Sequence, residues 1–178
     1  LLTLFGIPYI EAPSEAEAQC AELSKLGLVD GIVTEDSDVF LFGGTPVYKN
    51  MFNNTNSLLR YDLNKIEKHI NLNRDDFIQL AYLLGSDYTI GLDKIGPVTA
   101  VEILSQFGNL NNFFTWWNDN KFKLVKRIHI NENFLDPLVA DAYLNPSVDH
   151  SEMGFQWGTP DLEGLKMYFY VSVSFNIR

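Results

Sequence analysis

Residues 13–38, PSEAEAQCAELSKLGLVDGIVTEDSD, constrain the fold more than any other stretch. A run of helix formers stopped by glycine leads into a short apolar run, and acids sit at both ends of the unit. Glu15 and Glu17 open the helix; Asp36 and Asp38 close the strand that follows. Four carboxylates placed this way repel one another, and each wants water or a counter-ion. A divalent metal accounts for all four together.

The 178 residues suffice for one sizeable core, and a second domain is not needed. Apolar content of 46% and charged content of 20% are ordinary for a globular domain. Cys20 is the only cysteine, so no intrachain disulfide forms, which suits an intracellular protein. It reads as a small buried apolar residue. No apolar run is long enough to span a membrane, and nothing resembles a signal peptide. The net charge of −10 counts against a general nucleic-acid coat. It leaves room for an enzyme that meets DNA through metal ions and a few local contacts. Solubility alone also explains it.

Along the chain, residues 1–5 read as a helix end, with Gly6 as its stop and Pro8 beyond. Residues 7–10 read as a short apolar strand. No initiator methionine or helix cap precedes them, so the sequence is expected to begin inside a larger domain. Ser14 and Glu17 have capping-box spacing for a helix over residues 15–26, with Ala16, Cys20 and Leu23 facing the core. Residues 31–34 read as a buried strand, and residues 39–42 as an apolar element halted by Gly43 and Gly44. Residues 47–52 and 58–61 form a hairpin about a polar turn. Asp62 caps a helix through His69. Asp75 opens another, with Phe77, Leu80, Ala81 and Leu84 on one face and Gly85 as its stop. The loop SDYTIGLDKIG leads to a helix that starts at Pro97 and stops at Gly108. Beyond it lie an aromatic cluster (Phe113, Phe114, Trp116, Trp117) and a basic stretch (Lys121, Lys123, Lys126, Arg127). The basic stretch reads as a solvated helix face or a DNA contact. Pro137, Pro146 and Pro160 punctuate a loop-rich tail, and the final YFYVSVSFNIR alternates like a strand.

Each acid has a plain structural reading as well. Glu17 completes a capping box, Glu15 suits a helix dipole, and Asp36 and Asp38 serve as loop acids. Together they say more. Strand ends and nearby loops of an α/β fold converge on one crevice. Asp36 and Asp38, two apart in extended chain, point to one side, and Asp87 is a fifth candidate. The donors are all oxygen, which suits Mg²⁺ or Mn²⁺ rather than Zn²⁺. Several carboxylates together suit two metals and phosphodiester hydrolysis. No P-loop, GxGxxG or Ser–His–Asp set is present. His69, His129 and His150 are scattered and read as structural or exposed. The segment from Gly91 through Lys94, Gly96 and Pro97 to Thr99 presents backbone N–H groups at a helix start, a phosphate-binding geometry. The alternative is an ordinary helix–turn–helix corner.

GIPYIEAPSEAEAQCA, TEDSDVFLFG and LAYLLGSDYTIGLDKIGPVTAVEIL resemble, in order and spacing, the internal nuclease region of the flap endonuclease family. VYKNMFN, AYLNPSVDH and FQWGTPDLEGL resemble its XPG branch, the junction-cutting nuclease of nucleotide-excision repair. The last dozen residues do not follow the family pattern. The resemblance implies a PIN-like α/β core with a central, mostly parallel sheet flanked by helices, followed by a helix-hairpin-helix element. Residues 1–74 would bear the carboxylates, residues 75–108 would be the DNA-binding element, and residues 109–178 a helical and loop region.

It also implies a structure-specific endonuclease with a seven-carboxylate, two-Mg²⁺ site, for which Mn²⁺ would substitute. Glu15, Glu17, Asp36, Asp38 and Asp87 match five of those acids. The other two lie in an N-terminal nuclease region that this sequence does not include, so the chain alone is expected to be weakly active or inactive. Backbone carbonyls of Leu84, Gly91 and Ile95 match the family's K⁺ site. Gly91, Lys94, Gly96, Pro97 and Thr99 would grip the duplex. The implied partners are branched or junction DNA, the N-terminal nuclease region and DNA-repair proteins, in the nucleus and away from membranes. A second reading is a catalytically inactive, family-derived nucleic-acid-binding or scaffold protein; five retained acids favour the nuclease. A calcium-binding structural domain is disfavoured by the lack of an EF-hand pattern.

Overall fold

The computed structural model describes residues 1–53, 55–120, 130 and 134–175. The basic stretch at Lys121, Lys123, Lys126 and Arg127 lies outside the described residues. Three short strands form the sheet: β1 (Ile32–Val33), β2 (Val47–Lys49) and β3 (Leu59–Tyr61). β2 and β3 are the antiparallel hairpin that the sequence predicts, with Val47 opposite Tyr61. β1 lies parallel to β2, with Ile32 opposite Val47. The described sheet is therefore small and mixed, with one parallel and one antiparallel pairing. Ile32, Val39 and Val47 are buried together against it.

Helices surround the sheet. α1 (Leu2–Phe5) stops at Gly6 in the left-handed conformation, φ +69°. Residues 7–10 form no strand, and Ile7, Tyr9 and Ile10 are exposed. Pro8 has no N–H to give a ladder, and no neighbouring strand takes the rest. α2 (Ala16–Lys25) has Glu15 as its N-cap residue, and no side chain caps it. The capping box predicted for Ser14 and Glu17 does not form. The buried stripe also differs from the prediction. Ala18, Gln19, Ala21, Glu22 and Leu23 are buried, Cys20 is half-buried and Ala16 is exposed. A buried Gln and Glu disguise this face in the sequence, because both read as solvent-facing. Burial, aided by the charge of Glu17, pushes the Cys20 thiol up.

The segment after β1 is the largest local correction. It turns into α3 (Asp38–Leu41) and does not continue extended. Asp36 and Asp38 are therefore not strand neighbours on one side. α4 (Leu63–Ile70) is capped by Asp62, which accepts from Lys65 N–H. α5 (Arg74–Leu84) starts with a capping box formed by Asn73 and Asp76. Its fully buried side is Ile78, Ala81, Tyr82 and Leu83. Of the predicted core face, Ala81 is buried and Leu80 packs against the main core, and with Phe77 and Leu84 they also line an apolar cavity of about 370 Å³ against α3 and α4.

α6 (Pro97–Phe107) packs on α5 and on α7 (Leu110–Asn120). The aromatic cluster is on α7, where Phe113 is buried and its ring lies 5.4 Å from Phe107. α8 (Pro137–Leu144) carries Tyr143 into the core, and the main buried cluster runs from Ala18 and Phe42 through α5 and α6 to Tyr143. Through residue 175 the strand-like tail is instead α9 (Leu162–Phe175), which packs on α1, and residues 176–178 lie outside the described residues. Leu165 is buried, and at Gly164 a Cβ would lie 2.8 Å from the Leu4 side chain. This helical packing overrides the two-residue alternation of the sequence.

Candidate active site

Five acids predicted from the sequence come from four places in the chain. Glu15 is exposed at the N-cap of α2, and Glu17 is half-buried in its first turn. Asp36 lies exposed in the loop after β1, and Asp38 is the half-buried first residue of α3. Asp87 is exposed just beyond α5, after a chain reversal at Gly85. Gly85 has φ +94° and ψ 153°, a backbone conformation closed to residues with a Cβ.

Local bonds shape the acidic loop. Thr34 Oγ1 accepts from Asp36 N–H at 3.0 Å, and Asp36 Oδ1 accepts from Asp38 N–H at 2.9 Å. Glu35 Oε1 accepts from Asn50 N–H at 2.6 Å, which ties the loop to the hairpin. Lys49 Nζ donates to Ser37 Oγ at 3.2 Å.

Asp38 is the point where the acids meet. Burial pushes its carboxyl up from the ordinary value; a hydrogen bond from Tyr143 opposes this, and the charges of Asp36, Asp87 and Glu17 add to the rise. Tyr143 Oη donates to Asp38 Oδ2 at 2.7 Å. Glu15 joins through Tyr88, whose phenol is raised by burial first, then by Glu15 and by Asp38 and Asp87. The rings of Tyr88 and Tyr143 meet edge to face at 5.0 Å. The acids are thus electrostatic neighbours. Among the described residues, however, no group of three or more His, Cys, Asp or Glu side chains stands close enough to hold a metal ion. The donor chemistry fits a hard divalent cation: all oxygen, several carboxylates and mutual repulsion to relieve.

Neither tyrosine is legible as a site residue in the sequence. Tyr88 stands next to Asp87 in the quoted motif, which is a usable signal. Tyr143 lies in the quoted motif AYLNPSVDH, but more than a hundred residues from Asp38, and nothing local in that motif points to the acid.

The loop after α5 is compact. Gly91 has φ +73°, and a Cβ there would fall 2.5 Å from Gly85 N and 2.9 Å from the Leu84 carbonyl oxygen. Leu83 O accepts from Leu92 N–H at 2.9 Å, and Leu92 O from Ile95 N–H at 3.2 Å. Lys94 is exposed with φ +66°. Gly96 is the N-cap of α6 with Pro97 after it, and Thr99 is exposed on the first turn. Nothing lies within 4 Å of a Cβ built on Gly96.

The tail after α8 is tied to α2. Gln19 Nε2 donates to Asp149 O at 2.9 Å, and its Oε1 accepts from Asp149 N–H at 2.7 Å. His150 Nδ1 meets Glu22 Oε1 at 2.7 Å. His150, read from the sequence as structural or exposed, is both.

A helix-flanked small sheet, carboxylates around its strand end and a glycine-bounded hairpin between helices together define a nuclease-core class of fold. Residues 6–87 match the family model of the XPG I-region. The DNA repair protein RAD2 of Saccharomyces cerevisiae is 52% identical over 94% of this chain and 18% of its own length. Flap endonuclease 1 of Glycine max is 34% identical over 99% of this chain and 46% of its own. The catalytic core of Rad2 in complex with DNA substrate superposes with a TM-score of 0.90 at 46% identity, covering 97% of this chain and 62% of that one. The Holliday junction-resolving enzyme GEN1, in complex with product DNA, Mg²⁺ and Mn²⁺ ions, gives a TM-score of 0.71 at 25% identity over 94% of this chain and 48% of that one. The chain carries an XPG I-region at residues 6–87 and is more similar to RAD2 than to Flap endonuclease 1. It spans less than half the length of either relative.

The Glu22 contact makes a pH prediction. The hydrogen bond from His150 lowers the Glu22 carboxyl despite its burial, and Lys25 adds to the effect. Its stabilisation is complete above the ordinary carboxylate range and is lost as pH falls through the lowered value. His150→Ala should therefore flatten the acid limb of stability, by less than about 1 kcal/mol because the ring is at the surface. Urea unfolding between about pH 2 and 6 reads this out; an unaltered acid limb would remove the pair from the account.

Proposed function

We propose that this chain is the carboxylate-bearing and duplex-gripping part of a metal-dependent, structure-specific DNA endonuclease. It would cut at single-strand/double-strand junctions, flaps or bubbles, in nucleotide-excision repair in the nucleus. One observation supports this above the others: Asp36, Asp87 and Glu17 become electrostatic neighbours of Asp38, and Glu15 joins through Tyr88, in a fold that superposes on a Rad2 core bound to DNA.

Glu15, Glu17, Asp36, Asp38 and Asp87 would hold two Mg²⁺ ions, with Mn²⁺ as substitute. When bound, the ions supply an activated water and stabilisation of the leaving oxygen. The chain itself contributes placement. Asp38 is fixed between Tyr143 and the Asp36 turn, while Asp36 and Glu15 remain exposed to a phosphate that approaches from solvent. The two further aspartates that the resemblance implies are not among these 178 residues, so full activity would need a segment that brings them.

Residues 75–108 would grip the duplex. The start of α6 offers N–H groups and partial positive charge to a phosphate, with Lys94 beside it. Carbonyls of Leu84, Gly91 and Ile95 would take K⁺ there. The spacing of the acids favours the second reading, a family-derived scaffold without chemistry, because no three of them stand close enough to hold an ion.

Two measurements separate these readings. The first co-expresses the chain with a segment carrying the family's two further aspartates and assays a bubble or splayed-arm DNA with Mg²⁺. Cleavage at the junction is expected, with a loss of about 100-fold or more in Asp38→Asn and little change in DNA affinity. A folded complex that binds the DNA without cutting it would establish the scaffold. The second is Gly96→Val. The extended backbone and open space at Gly96 accept a side chain, so the melting temperature should hold. Duplex affinity should fall about tenfold because the branched chain occupies the phosphate approach. Undiminished affinity would move the duplex contact elsewhere.

A further inference from the structure

We propose that Tyr143 is a positioning residue for Asp38, so that the candidate site extends to α8. This inference rests on the nuclease reading above. Tyr143 is fully buried, and its hydroxyl reaches Asp38 Oδ2 at 2.7 Å across 105 residues of sequence. The bond runs from α8 to the first residue of α3.

The ring that carries the hydroxyl is held on several sides. Phe42 lies 5.1 Å away and Tyr88 5.0 Å, centroid to centroid. Arg74 fixes the backbone at both ends of the contact: Nη2 donates to Tyr143 O at 2.8 Å, and Nε to Leu41 O, at the end of the helix that Asp38 begins, at 2.6 Å. Asp38 needs such a hold. It starts a helix of only four residues, beside Asp36, Asp87 and Glu17, and repulsion from these would turn its carboxylate outward. A bond on Oδ2 sets the plane of the carboxylate and so the direction of Oδ1. Outer partners of ligating carboxylates commonly act this way.

The test is Mn²⁺ affinity by titration calorimetry, paired with the melting temperature of the metal-free chain. Tyr143→Phe removes only the hydroxyl and leaves the ring packed; Mn²⁺ affinity should fall about tenfold. Phe42→Leu loosens the same ring with its hydroxyl in place; it should lower the melting temperature and leave Mn²⁺ affinity near the unsubstituted value. If Tyr143→Phe binds Mn²⁺ normally while Asp38→Asn does not, the positioning role is overturned and the nuclease reading stands. If Phe42→Leu weakens Mn²⁺ as much as Tyr143→Phe, packing is the cause and the role is again overturned. An unsubstituted chain that binds no Mn²⁺ would sink the metal reading and this inference with it.

Discussion

Arg74 reaches from the first turn of α5 to two helix ends at once, donating to the carbonyl oxygens of Leu41 at the end of α3 and Tyr143 near the end of α8. A guanidinium suits this role because its donors are rigid and its charge persists under partial burial, although that burial draws its pKa down. Helix C-termini carry unpaired carbonyls and partial negative charge, which a buried cation satisfies. The hold brings the acidic loop, the hairpin helix and the distant tail to one place. Everything said about Asp38 depends on that convergence.

The acids then form a deliberately unbalanced group. Asp38 sits where desolvation and three neighbouring carboxylates all disfavour its charge, and a single tyrosine hydroxyl opposes them. Such an arrangement is a poor device for stability and a sound one for binding a cation, because a divalent ion reverses the sign of each repulsive pair. The acids stay neighbours without closing on one point, so ion binding has electrostatic energy to draw them together.

Much of this was legible in the sequence, and what failed did so for identifiable reasons. Gly6, Gly85, Gly108 and Asp62 mark element ends by backbone geometry and capping, which are local, and they fall where expected. Spacing and chemistry single out the five acids as candidates, and the fold makes Asp36, Asp87 and Glu17 electrostatic neighbours of Asp38. The extended course drawn from Asp36 to Asp38 was wrong, because an Asx turn, with Asp36 accepting from Asp38 N–H, starts a helix there. The core face of α2 was misread because Gln19 and Glu22 are buried against Asp149 and His150, partners some 130 residues away. The tail alternated like a strand, yet contacts with α1 made it α9. Tyr143 stands in the quoted motif AYLNPSVDH, yet its bond to Asp38 spans 105 residues and no local pattern announces it.

Anomalous diffraction at the manganese edge, from crystals of the chain grown with Mn²⁺, tests the central claim most directly. The account predicts density for manganese bordered by Asp38 and by carboxylates of Glu17, Asp36 or Asp87, with Tyr143 still bonded to Asp38 Oδ2. Manganese bound only at acids elsewhere, or no manganese among these five, would contradict it.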